Sequence, residues 1–238
     1  MYGWRARLGL IIPSSNTTME EEFRKLLPKG ISLHVARVRL RKVNVRELLE
    51  MERYAKEAAQ LLGDAGVDLI AYGCTTGSLV GGLGYDLRLA EEIKGTSGIK
   101  AITTAGAVLD ALRQLSVEKV AVATPYIDEV NEKEKEFLEA NGFQVVNIKG
   151  LQIEENLEIG RQPPEVAYRL AKDVDRPEAE AVFISCTNFR TIEVIAVLEA
   201  DLGKPVFSSN TATLWASLKS LRIREKLLGL GSLLESLF

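Results

Sequence analysis

The feature that most limits how this chain can fold is that its two halves repeat. At a shift of 112 positions Pro13 falls on Pro125, Gly30 on Gly142, Asn44 on Asn156, Cys74 on Cys186 and Thr75 on Thr187. Cys74 and Cys186 are the only two cysteines of the 238 residues. Each closes an apolar run, Ala71 Tyr72 Gly73 Cys74 Thr75 Thr76 Gly77 Ser78 in the first half and Phe183 Ile184 Ser185 Cys186 Thr187 Asn188 in the second. Beyond the cysteines the register drifts. Lys100 Ala101 Ile102 pairs best with Lys204 Pro205 Val206, a shift of 104, so the first half carries an insertion, assigned here to Gly81 Gly82 Leu83 Gly84.

Apolar and β-branched runs at 7–12, 31–40, 67–72, 99–103, 119–123, 143–148, 181–185 and 205–207 read as eight strands. Between them, apolar residues recur at helical spacing, as in Met19, Phe23, Leu26, Leu27 and in Leu48, Ala55, Ala58, Leu62. Asn44 followed by Glu47 reads as a capping box, Gly63 and Gly142 as C-terminal caps, and Pro163 Pro164 as a helix start. Strands that alternate with helices build parallel sheets with ligand sites at the strands' carboxyl ends. The expected fold is α/β, two halves related by a pseudo-twofold axis, each a four-stranded parallel sheet flanked by helices, with the site in the cleft between them. The halves are drawn as residues 1–112 with 210–238, and residues 113–209.

Composition narrows the partners. A formal net charge of −3 leaves no basic footprint for nucleic acid, and no polybasic tract suggests a membrane surface. No apolar run reaches the roughly 18 residues of a membrane span, and the N-terminus enters a strand directly, so the chain is expected in the cytoplasm. There the two thiols stay free. His34, the sole histidine, sits in an alternating strand segment and reads as a structural residue with a local partner. No metal-ligand cluster, phosphate loop or dinucleotide fingerprint occurs, so neither metal nor cofactor is expected. The apolar surplus of the last segment, Leu227, Leu228, Leu230, Leu233, Leu234 and Phe238, reads as a helix over 222–238 packed on the first half, with a homo-oligomer contact.

A cysteine between a strand and a helix sits where N–H groups and the helix dipole favour the thiolate, lowering a pKa that is about 8.5 in a free thiol. A single free cysteine is as readily a small core residue. Two at equivalent positions, each after a strand and before a threonine, point to paired chemistry.

Pro13 Ser14 Ser15 Asn16 Thr17 Thr18 Met19 Glu20, Gly73 Cys74 Thr75, Thr124 Pro125 Tyr126, 155–161 (ENLEIGR) and Ser185 Cys186 Thr187 Asn188 together resemble the maleate cis-trans isomerase group. That group belongs to the aspartate/glutamate racemase superfamily, alongside the arylmalonate decarboxylases. The resemblance runs from the first strand to Trp215. It implies a cofactor-independent isomerase acting on a small dicarboxylate, with Cys74 as nucleophile and Cys186 as opposing proton donor and acceptor. Asn16, Tyr126 and Asn156 are then carboxylate ligands, with Thr75, Thr76, Thr187 and Asn188 as further donors around the substrate. Read from the residues alone, Asn16 is equally a helix cap, Tyr126 equally a packing residue and Asn156 equally a turn former. Thr75 Thr76 Gly77 resembles the carboxylate loop of the decarboxylases, which lack the first cysteine; amino-acid racemases share both thiols but carry a glycine-rich first loop. The order of readings is isomerase, racemase, decarboxylase, with a dicarboxylate-binding protein as the non-enzymatic alternative. Gly81 to Gly84 is expected to form a flap.

Overall fold

The computed structural model describes residues 2–237; Met1 and Phe238 lie outside the described residues. The elements alternate along the chain: β1 (Ala6–Pro13), α1 (Met19–Leu26), β2 (Ile31–Val38), α2 (Val45–Asp64), β3 (Leu69–Tyr72), α3 (Tyr85–Ser97), β4 (Ala101–Thr103) and α4 (Thr104–Gln114). The second half follows with β5 (Lys119–Thr124), α5 (Asp128–Ala140), β6 (Gln144–Gly150), α6 (Asn156–Gly160), α7 (Pro164–Val174), β7 (Ala181–Ile184), α8 (Ile195–Leu202) and β8 (Val206–Ser208). Two helices close the chain, α9 (Ser209–Ser220) and α10 (Ser232–Glu235). The strands form two four-stranded sheets, β2-β1-β3-β4 and β6-β5-β7-β8. Every pairing is parallel and the order is the same in both, as the repeat requires.

Central parallel strands are covered on both faces, and their alternate residues serve two cores. Leu8, Leu10 and Ile12 of β1 join Val120 and Val122 of β5 and Phe183 of β7 in one cluster. Ile70 and Tyr72 of β3, Ala121 and Ala123 of β5 and Val182 and Ile184 of β7 join the other, which also holds Cys74 and Cys186. Each core therefore draws on both halves. α4 and α9, the helices that leave the last strand of each half, pack against one another, and Thr213 Oγ1 donates to Thr104 Oγ1 across that contact at 3.0 Å.

The registers refine the repeat. Ile70 pairs with Ala101 while its equivalent Val182 pairs with Val206, so the shift at the last strand is 105 rather than 104. The insertion of seven residues is divided: α3 has 13 residues against 8 in α8, and the remainder lies in the turn before α3. In that turn Gly81 lies so close to Tyr85 that a Cβ on it would meet the ring at 2.0 Å, and Gly82 and Gly84 have φ of +82° and +77°.

Several local expectations are corrected. Asn44 caps α2 by accepting from Glu47 N at 3.0 Å, but the Glu47 carboxylate turns to Arg41 N and Lys42 N, so the box is only half made. Gly63 lies inside α2, and the left-handed residue after it is Gly66. Among the described residues of the last segment, only Ser232–Glu235 is helical. Its Leu233, Leu234 and Leu237 are buried in the protein's own core, and Ser232 binds Glu199 of α8, so this segment leans on the second sheet. Leu228 remains 75% exposed. His34 contacts Ser32 Oγ at 2.9 Å on edge strand β2, the local partner the alternating pattern implies. No helix among the described residues is long and apolar enough to cross a membrane.

The loops before α2 and α6 are repeat equivalents and meet each other. Lys42 and Glu155 form an isolated antiparallel bridge, Val43 N donates to Glu154 O at 2.7 Å and Asn156 N to Arg41 O at 2.9 Å. This contact brings the two strand-end regions together from opposite halves.

Candidate active site

β3 and β7 are short, fully buried strands that deliver Cys74 and Cys186 to the inter-sheet region, where both thiols are free and only 5% and 4% exposed. The peptide geometry differs between them. Cys186 has φ of +95°, whereas Cys74 is outside the left-handed region. A side chain at positive φ costs on the order of 1–2 kcal/mol and persists where surrounding contacts hold it. Here Cys186 N donates to Ser209 Oγ at 3.0 Å, Asn188 N donates to Cys186 Sγ at 3.3 Å and Thr187 Oγ1 donates to Gly73 O at 3.1 Å.

The cysteines do not open directly into helices. Cys74 leads into a single 3-10 turn, Thr76–Ser78, and no regular helix follows Cys186 until α8. The expected lowering of the thiol pKa is overturned. Burial pushes Cys74 up to about 11, against the opposing hydrogen bonds from Gly77 N–H and the Thr76 hydroxyl. Burial also pushes Cys186 up to about 12, against hydrogen bonds from the Tyr126 hydroxyl and Asn188 N–H, and the neighbouring Cys74 and Glu134 charges add to the rise. Loss of water outweighs two good donors at each sulfur, so both groups rest as neutral thiols.

All nine residues singled out in the sequence meet in one hydrogen-bonded cluster. Thr75 Oγ1 donates to Ser209 Oγ at 2.7 Å, and Ser209 in turn accepts from Cys186 N, which ties one thiol loop to the other. Asn16 Oδ1 accepts from Thr18 N and Met19 N at 3.0 Å in the turn that leads into α1, while its Nδ2 donates to Thr187 Oγ1 at 3.0 Å. Asn156 Nδ2 donates to Ser15 Oγ at 2.8 Å. Asn188 is fully engaged in the scaffold: Oδ1 accepts from Thr17 N, and Nδ2 donates to Asn156 O and Ser15 O. An amide NH₂ has two hydrogens, so Asn16 and Asn156 each keep one spare donor. The Thr75 and Thr187 hydroxyl protons are committed to protein acceptors; the Thr76 and Tyr126 hydroxyls stand beside the Cys74 and Cys186 sulfurs and favour their charged forms.

Sequence reasoning missed three members of this region. Ser209 is the bridge between the halves, and the hydroxyl pair Ser208 Ser209 where β8 meets α9, matching Thr103 Thr104 where β4 meets α4, was a readable sign of it. Glu22 and Glu134 are buried carboxyls on α1 and α5, 3% and 0% exposed, and they are equivalent at the shift of 112. Burial pushes each up to about 7. Among the described residues no group of three or more His, Cys, Asp or Glu could hold a metal ion.

Glu22 gives a prediction for stability. Its oxygens accept from Thr191 N at 3.0 Å and Asn210 Nδ2 at 2.7 Å. A carboxyl raised from 4.5 to about 7 on folding binds more protons in the native than in the unfolded state across that window. Stability therefore falls as pH rises from about 4.5 to about 7, by about 3 kcal/mol for this one group. Glu22→Gln removes that contribution, and urea denaturation at a series of pH values shows a flatter stability profile between pH 5 and 7 than in the parent. An unchanged slope would show that the carboxyl does not titrate there.

The comparisons with known proteins agree with this arrangement. A family model described as arylmalonate decarboxylase matches residues 8–234. A maleate isomerase of Geobacillus stearothermophilus is 34% identical over 243 residues, covering 96% of this chain and 97% of its own. The crystal structure of a maleate isomerase from Pseudomonas putida, a cysteine-to-alanine variant with maleate, superposes with a TM-score of 0.94 at 30% identity, covering 97% of this chain and 98% of that one. A cysteine-to-serine mutant of the Nocardia farcinica maleate cis-trans isomerase, with a covalently bound succinylcysteine intermediate, superposes with a TM-score of 0.93 at 31% identity, covering 97% and 98% of the two chains. A family match over nearly the whole length, with relatives at 30% identity or more along almost all of theirs, shows that this chain belongs to the arylmalonate decarboxylase family and, within it, to the maleate isomerase group.

Proposed function

We propose that this protein isomerises maleate, or a closely related small cis-dicarboxylate, to fumarate through a covalent adduct on Cys74. The observation that carries the reading is the pair of repeat-equivalent thiols in one cluster, each with its own pair of hydrogen-bond donors. The succinylcysteine found in the Nocardia enzyme is the adduct that such a thiol forms with maleate.

A carboxylate oxygen of the bound substrate takes the Cys74 proton and gives it back when the product leaves; the sulfur, held by Thr76 and Gly77, adds to one olefinic carbon. A C–S bond forms, and the π electron pair moves into the adjacent carboxylate as an enediolate. The former double bond is now single and free to rotate. Cys186 opposes Cys74; its proton passes to the second olefinic carbon to give the succinyl adduct, and its thiolate takes the proton back. The C–S bond then breaks, its electron pair leaving with sulfur, and the trans alkene departs. The steps balance without redox change or a second substrate, so the reading is of a cofactor-independent enzyme.

Asn16 and Asn156, with their spare amide hydrogens, are the proposed carboxylate ligands; the single Tyr126 proton serves the Cys186 sulfur instead. Fixed donors of this kind are worth about 3 kcal/mol each where charge develops in the transition state. Thr75, Thr187 and Asn188 hold the loops in register rather than binding substrate, since their polar atoms are already engaged.

The test is to incubate the protein with maleate in deuterated water and follow the solution by proton NMR. Fumarate is expected to appear. No fumarate from maleate, with deuterium entering the α-carbon of aspartate in a parallel incubation, would replace the isomerase reading by racemisation.

A further inference from the structure

The repeat supplies two buried carboxyls, and only one of them has an evident structural task. Glu22 has both oxygens paired, and it fastens α1 to the Thr187–Thr191 loop and to α9. Its equivalent, Glu134, is fully buried on α5 and is bound through one oxygen only, accepting from Ser185 Oγ at 2.6 Å. Its Oε2 is buried without a partner. A buried polar atom left open calls for an explanation other than packing.

Ser185 stands immediately before Cys186 and also lies 3.5 Å from the Tyr126 hydroxyl, which hydrogen-bonds the Cys186 sulfur. In the first half the position equivalent to Ser185 is Gly73, where a Cβ would meet Met19 Sδ at 2.6 Å. The chain Glu134–Ser185–Tyr126–Cys186 therefore exists in one half only, beside the thiol read above as the proton donor and acceptor. We propose that Glu134 is a positioning residue, whose proton sets the direction of the Ser185 and Tyr126 hydroxyls and through them the readiness of Cys186 to give up and recover its own. The proposal rests on that reading of Cys186.

A serine hydroxyl has one proton. When Glu134 is ionised, the short contact to the carboxylate claims that proton, and Tyr126 loses its donor. With a proton on Glu134 Oε1, the carboxyl donates to Ser185 Oγ, Ser185 donates to Tyr126, and Tyr126 donates to the Cys186 thiolate. No covalent bond changes; only the hydrogen-bond direction reverses. Ionised Glu134 also sets a like charge beside the thiolate, so both effects favour the Cys186 thiolate when Glu134 is neutral. Glu134 is raised to about 7 by burial, which puts the change near neutral pH.

The groups that face it are few. Tyr126 comes from the turn after β5, and Cys186, with Cys74 beyond it, from the end of β7. β6, packed along α5, offers Lys149, which is exposed and paired with Asp173. On α5 itself, Lys133 pairs with Glu136.

The experiment uses the full chain with Cys74→Ala, so that Cys186 is the only thiol, and measures its alkylation rate by iodoacetamide from pH 6 to 9 by mass spectrometry. In this parent the climb of the logarithmic rate with pH flattens as Glu134 ionises. Glu134→Gln, always neutral, restores a straight climb and raises the rate at pH 8 by on the order of tenfold. Ser185→Ala keeps the charge and cuts the relay, and it lowers the rate at pH 6 toward the parent's flattened line. In protein with both cysteines, kcat/KM for maleate loses its descending limb near neutral pH in Glu134→Gln. If Glu134→Gln gives the parent profile in both assays, Glu134 is only a packing residue; if Ser185→Ala does, no relay operates. Should Glu134→Gln fail to fold, Ser185→Ala alone decides. Alkylation needs no maleate, so a failure of the isomerase reading leaves this result intact.

Discussion

Cys74→Ala abolishes turnover of maleate while leaving the protein folded. In the mechanism proposed above, Cys74 supplies the sulfur that forms the C–S bond, and no other side chain at that position opens the double bond to rotation. Losing a covalent nucleophile costs on the order of 10⁴-fold or more in kcat. The structural cost is small by comparison. The sulfur is buried against Gly77 and is held by Thr76, but its removal leaves a gap about the size of one methyl group, worth about 1 kcal/mol. Fumarate formation measured alongside the melting temperature separates the two effects. A variant that keeps more than a hundredth of the parental rate would remove Cys74 from the chemistry. A dicarboxylate-binding protein with no turnover would instead show the same ligand-induced rise in melting temperature with and without the sulfur.

Cys186→Ser should stop the reaction at a different point. A serine hydroxyl is a far weaker acid than a thiol, and once a proton from water has reached the second olefinic carbon, serine is unable to remove it again. The succinyl adduct then accumulates on Cys74. Intact-protein mass spectrometry after incubation with maleate shows a gain of one maleic acid on the variant, and peptide mapping places it on Cys74. The same treatment leaves Cys74→Ala unmodified. Serine keeps the volume of cysteine closely and meets the same backbone demand at φ of +95°, so the site geometry survives the change. Full turnover in Cys186→Ser would assign the proton transfers to another group.

The raised thiols also shape how the enzyme meets its substrate. Two neutral sulfurs in a nearly closed site present no negative charge to the dianion proposed as substrate, which the reactive thiolates suggested by strand-end placement would repel. The donors of Thr76 and Gly77 at Cys74, and of Tyr126 and Asn188 at Cys186, offset only part of the energy that burial removes from each thiolate.

Much of the architecture was written in local pattern. All eight strands lie where apolar and β-branched runs put them, because buried parallel strands need continuous apolar stretches whatever surrounds them. Helices with one wet face, such as α1 and α2, were legible by their spacing. α9 was not, because every residue from Ser209 to Leu218 is buried and a helix enclosed on all sides has no polar face to set a period. The C-terminal leucines looked like a surplus for another subunit, since nothing local shows that Leu233 and Leu234 fill the protein's own core.

The identity of the site followed the same division. The repeat, and with it the pairing of Cys74 with Cys186 and the matching loops at Asn44 and Asn156, was determined by sequence alone, because duplicated strand-helix units place equivalent residues at equivalent strand ends. The acidity of the thiols was decided only by the tertiary structure, which strips them of water on all sides while the local pattern offered helix-end donors. Tertiary structure also made the two equivalent carboxyls unequal. Glu22 found two partners across the interface, whereas Glu134 found a single serine next to Cys186, because only one of the two repeat positions has room for that hydroxyl.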